Sequence, residues 1–121
     1  MADRAARETR IWRYVLRAFR EEWPTRSPVV VSRLPFSPDV LGDCCRIRGK
    51  YRIRVNTGID LTGQLYTLAH EWAHAVAWPA EAKGERWEEH SPLMVALIGP
   101  TQMTMFAAWQ EIENKLAGEA A

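Results

Sequence analysis

Five residues in the middle of the chain, His70-Glu71-Trp72-Ala73-His74, set two imidazoles four residues apart with a carboxylate directly after the first. On a helix, residues at that spacing lie one above the other, so both histidines can aim a ring nitrogen at one metal ion. Glu71 can then flank a metal-bound water and take its proton. The pattern is that of a two-histidine zinc site. It makes Zn2+ the implied cofactor, His70 and His74 metal ligands and Glu71 the catalytic base. The flanking residues support the helix that this geometry requires. Leu61, Leu65, Leu68, Trp72 and Val76 recur at three- and four-residue steps and form an apolar stripe for a core. At 100° per residue, His70 and His74 lie roughly 160–200° from that stripe and face a cleft.

A hydrolytic zinc site keeps three protein ligands and leaves the fourth position to water. The third histidine of the chain is His90, just before Ser91-Pro92, where a cap and a proline at the first helical position open another helix. A return loop there can bring His90 to the metal, and it is the favoured third ligand. Glu81, Glu85, Glu88, Glu89, Glu111 and Glu113 are the competing donors.

The rest of the chain bounds the setting. At 121 residues it is one domain, spanning 1–121, with room for one modest core. A hydrophobic content of 47% with six tryptophans excludes a disordered chain. The net charge of +1 implies no partner by itself. Cys44 and Cys45 are adjacent, which suits neither a disulfide nor a thiolate zinc site and fits a reducing compartment. Arg4, Arg7 and Arg10 near the N-terminus leave no apolar stretch for a signal peptide, and no run is long enough to span a membrane. The expectation is a soluble, cytoplasmic protein, in the host cytoplasm if it is viral.

An N-terminal helix over 1–24 carries an apolar stripe of Trp12, Val15, Leu16, Phe19 and Trp23, and Pro24 ends it. Its arginines either solvate a docked helix or face nucleic acid. A sheet is expected over 28–56. Val29–Val31 form its first strand, and a hairpin turns at Gly49. Cys45, Ile47, Tyr51, Ile53 and Val55 alternate with Arg46, Arg48, Lys50, Arg52 and Arg54. Keeping the apolar set on one face requires an odd loop, Arg48-Gly49-Lys50. The opposite face then carries five positive charges, which serve either as solubilising charge or as a DNA contact surface. The motif helix is expected over 61–78, capped by Asp60 or Thr62 and closed by Pro79. Distal helices are expected over 91–117, broken or kinked at Gly99-Pro100. In them Met105, Phe106, Trp109, Ile112 and Leu116 face the core.

Leu68-Ala69-His70-Glu71-Trp72-Ala73-His74-Ala75, followed by Trp87-Glu88-Glu89-His90 and a hydrophobic helix, resembles the SprT-like zinc metallopeptidases. The resemblance covers roughly residues 44–112 and is closest to the short members found in bacteriophages and bacteria. Ser91-Pro92 follows His90 where such proteins usually carry glycine. The metzincin extension of the motif is absent, because Ala77 and Ala80 occupy its glycine and third-histidine positions. The resemblance implies an α+β zincin-like fold, with a small antiparallel sheet, the HExxH helix behind it and a distal helix bringing the third ligand. It also implies hydrolysis of peptide bonds in a protein or peptide substrate, coupled to DNA in some relatives.

Two functions therefore stand as expectations. The first is a zinc metallopeptidase, a hydrolase in which Glu71 serves a zinc-activated water. Tyr51, Tyr66 and Arg86 are available to stabilise the oxyanion, and the strand at 51–56 is available to pair with substrate. The second is a non-catalytic, zinc-stabilised module, virion-associated or otherwise, that binds nucleic acid or a partner.

Overall fold

The structure is a computed structural model that describes residues 2–81 and 90–120, apart from the side chains of residues 2 and 79–81. The elements are three helices, α1 (Ala2–Glu22), α2 (Leu61–Glu81) and α3 (Pro92–Ala120), and a sheet of β1 (Val29–Leu34), β2 (Gly42–Ile47) and β3 (Lys50–Asn56). α2 packs on the sheet, and α1 and α3 pack on α2 and on each other. No helix among the described residues is long and apolar enough to cross a membrane. Cys44 and Cys45 form no disulfide.

α1 buries Ile11, Trp12, Val15 and Phe19, while Leu16 and Trp23 pack at the edge of the same cluster. Its arginines are largely engaged within the molecule. Arg7 and Arg10 pair with Glu113 and Glu119 of α3, and Arg17 pairs with Glu21. Arg20 donates to the Val29 carbonyl at 3.1 Å.

The sheet departs from expectation in two ways. It is mixed rather than antiparallel, in the order β1-β3-β2, with β3 parallel to β1 and antiparallel to β2. The cause is the short connection 35–41, which leaves the end of β1, passes over the end of β3 and enters β2 on the far side. Asn56, the last residue of β3 and only 1% exposed, holds that arch together. Its Oδ1 accepts from the Phe36 amide at 3.1 Å and the Gly58 amide at 2.8 Å. Its Nδ2 donates to the Val40 carbonyl at 2.8 Å, and its own amide donates to the Leu41 carbonyl at 2.8 Å.

The second departure is the hairpin register. The turn is the two-residue Arg48-Gly49, with φ of 51° and 76°, rather than a three-residue loop. Two positive-φ residues give a turn whose twist matches that of the strands it joins. The change shifts the pairing by one residue, so Cys44, not Cys45, lies opposite Ile53 on the core side, and Ile47 is 41% exposed. The expected row of five charges is divided as well. Arg46 lies opposite Tyr51, and Arg48 sits in the turn. Lys50, Arg52 and Arg54 share the outer face with Asp43, which pairs with Arg54.

Asp60 caps α2, with its carboxylate accepting the Gly63 amide at 2.8 Å. Leu65, Leu68 and Trp72 are buried as the stripe requires, while Leu61 and Val76 pack at its margin. Trp72 stacks on Phe19 at 5.5 Å and donates its indole N–H to the Trp23 carbonyl at 2.8 Å. α2 does not stop at Trp78 but runs through Pro79 to Glu81. A proline there removes one backbone donor from the final turn and leaves the rest of the helix intact.

Ser91 caps α3 as expected, accepting the Met94 amide on its hydroxyl at 3.1 Å. The helix then continues unbroken through Gly99-Pro100 for 29 residues. The Thr101 hydroxyl donates to the Leu97 carbonyl at 2.8 Å, with the Ile98 carbonyl at 3.0 Å, next to the Ala96 carbonyl that Pro100 leaves without its helical donor. Met105 and Ile112 are buried, and Trp109 and Leu116 are partly so. Phe106 instead stands 40% exposed, its ring edge-on to Tyr66 at 5.4 Å.

Candidate metal centre

Two pieces of packing bring the third histidine home. α2 presents Ala73 and Ala77, small residues on its final turns, and Met94 of α3 fills the space against them, wholly buried. Met94 stands one turn beyond the Ser91 cap, so this contact anchors the start of α3 beside α2 and places His90 over the motif. The His70, His74 and His90 ring centroids form a nearly equilateral triangle with sides of 5.1, 5.0 and 5.0 Å. One ligand nitrogen from each lies within 4.8 Å of the others, close enough to hold a metal ion. Three imidazoles suit zinc, and equally copper, iron or nickel.

The electrostatics favour neutral ligands. His74 is 4% exposed and His70 is half-buried. Burial lowers both pKa values from 6.5 to about 4, and the neighbouring histidines add to the shift. Near neutral pH both imidazoles therefore offer lone pairs without first releasing a proton. His90 is exposed, at the outer corner of the triangle.

Of the competing donors, Glu111 pairs with Lys115 and Glu113 with Arg7, at the far end of α3. Glu85, Glu88 and Glu89, Arg86 and most of the 79–90 loop lie outside the described residues, as does the Glu81 side chain. Among the described residues the cluster is the three histidines alone.

A cleft of about 360 Å³ opens beside them, lined by His70, Glu71, Tyr66, Thr67, Gln102, Leu41 and Gly42. Glu71 is 7% exposed. Of the candidate oxyanion donors, Tyr66 lines the cleft, whereas Tyr51 is 1% exposed and packs against Trp78. β3 is central and paired on both sides, so the strand that borders the cleft is β2.

Sequence reasoning missed Leu41, Gly42 and Gln102. Gln102 had a weak signal, as a polar residue inside an otherwise apolar stretch of α3. Gly42 had none. A Cβ at Gly42 would sit 2.5 Å from the Arg54 carbonyl oxygen and 2.6 Å from Thr67 Cγ2. Only a glycine lets α2 lie this close to the sheet. No protein-family model matches the chain, and no curated protein or solved structure is significantly similar to it.

Proposed function

We propose that the protein is a zinc-dependent metallopeptidase of minimal zincin type, resembling the SprT-like family. The observation that carries this reading is the convergence of His70, His74 and His90 on one point, with the Glu71 carboxylate at the same cleft. His70, His74 and His90 would hold the zinc, which would supply the Lewis acidity to acidify a water and polarise a peptide carbonyl. Glu71 accepts the proton of the attacking water as the new C–O bond forms. It delivers that proton to the departing amine as the C–N bond breaks. In this reading an extended substrate lies along β2, the outer strand at the cleft, rather than along β3.

Glu71→Gln tests the role of the carboxylate. Zinc should stay bound at one ion per chain while hydrolysis disappears, and undiminished hydrolysis would sink the mechanism. His90→Ala should weaken or abolish zinc binding. A wild-type protein that binds zinc and cleaves no peptide would instead favour a zinc-stabilised binding module.

A further inference from the structure

One wall of the cleft is mainly apolar, the Tyr66 hydroxyl being the one polar side-chain group among Leu41, Tyr66 and Phe106. Leu41, Tyr66 and Phe106 leave 55%, 39% and 40% of their surfaces exposed. Leu41 and Tyr66 line the same cleft as His70 and Glu71, and Phe106 buttresses the Tyr66 ring. Tyr66 stands one helical turn before His70, so the apolar surface begins directly beside the candidate metal position.

This wall is preformed. The Leu41 carbonyl accepts the Asn56 amide at 2.8 Å, and the neighbouring Val40 carbonyl accepts Asn56 Nδ2 at 2.8 Å. The buried Asn56 thus fixes an exposed leucine at the cleft edge. Gly42, the next residue, lies directly against Thr67 of α2. Among the described residues, the lining side chains other than Glu71 are uncharged near neutral pH, and Leu41, Tyr66 and Phe106 offer a charged guest no opposite charge to offset its lost hydration.

We propose that Leu41, Tyr66 and Phe106 form a specificity subsite for a bulky apolar side chain of a peptide, next to the bond that is cut. This rests on the peptidase reading for its position in a reaction, but not for its ability to bind. A single methylene in an apolar pocket changes specificity by roughly 10-fold or more. Leucine, methionine or phenylalanine should therefore exceed alanine by at least about 10-fold in kcat/KM at that position.

Two measurements on the zinc-loaded full chain test this. Cleavage sites in a denatured protein digest, mapped by mass spectrometry, should be enriched in bulky apolar residues on one side of the cut. Separately, fluorescence anisotropy should show a leucine-centred peptide binding the Glu71→Gln variant about 10-fold more tightly than its alanine analogue. Adding Leu41→Asp, at an exposed position, should erase that difference. Cleavage without apolar enrichment overturns the subsite and leaves the peptidase standing. Equal binding of the two peptides also overturns it. A leucine preference that Leu41→Asp erases, in a wild type that cleaves nothing, supports the subsite and removes the peptidase.

Discussion

Replacing Gly42 with alanine tests the closest approach of the fold. Elsewhere such a change stabilises by about 0.4–1 kcal/mol, because it restricts the unfolded chain. Here the added Cβ would meet the Arg54 carbonyl oxygen at 2.5 Å and Thr67 Cγ2 at 2.6 Å. Ordinary contact begins near 3.4 Å, so β2, β3 and α2 must separate by close to an ångström. The Arg54 carbonyl belongs to the central strand and cannot yield without disturbing its pairing. Overpacking of this kind costs about 1–3 kcal/mol, and a backbone obstacle places Gly42→Ala toward the upper end. For a domain of this size the melting temperature should fall by roughly 10 °C. Thermal denaturation followed by circular dichroism, with chelator present, reads this directly. Thr67→Ser in the same background removes the Cγ2 clash but not the carbonyl, so it should restore only part of the loss. An unchanged melting temperature for Gly42→Ala, or complete rescue by Thr67→Ser, would refute the reasoning. Zinc affinity should move little, because all three histidines lie outside the sheet, on α2 and just ahead of α3.

Two further predictions concern charge and the turn. In metal-free protein the folded pKa of His70 and of His74 is about 4 against 6.5, chiefly through burial, so the native state binds fewer protons than the unfolded state between those values. Stability should be full above pH 6.5 and fall as the pH drops toward 4, with the more deeply buried His74 contributing the larger share. A melting series in chelator should show this slope, and His70→Gln/His74→Gln should flatten it. A wild-type melting temperature that stays level from pH 7 to 4.5 would count against it. Arg48→Asn should stabilise by about 0.5–1 kcal/mol, because asparagine tolerates the positive φ that arginine adopts in the hairpin turn. A denaturation midpoint at or below that of wild type would contradict the turn assignment.

The sequence alone determined the elements whose causes are local. The four-residue histidine spacing, the apolar stripe behind it, and the Asp60 and Ser91 caps each depend on neighbours within a turn or two. They stand in the structure where the residues implied them. His90 was legible for a related reason, since a helix start immediately after it limits where it can point. Tertiary structure decided the rest. Whether Cys44 or Cys45 faces the core turns on one residue of loop length, and a single-residue slip reverses every side chain in the strand. The parallel pairing of β1 with β3 joins segments that no local pattern connects. Pro100 stays inside α3 because Met94 before it and Thr101 and Met105 after it are buried, so packing holds both halves of the helix. The cleft wall of Leu41, Tyr66 and Phe106 exists only once the 35–41 arch, α2 and α3 meet. Phe106 reads in sequence as core and Tyr66 as a polar donor, and only the assembled fold sets both open beside the histidines with Leu41.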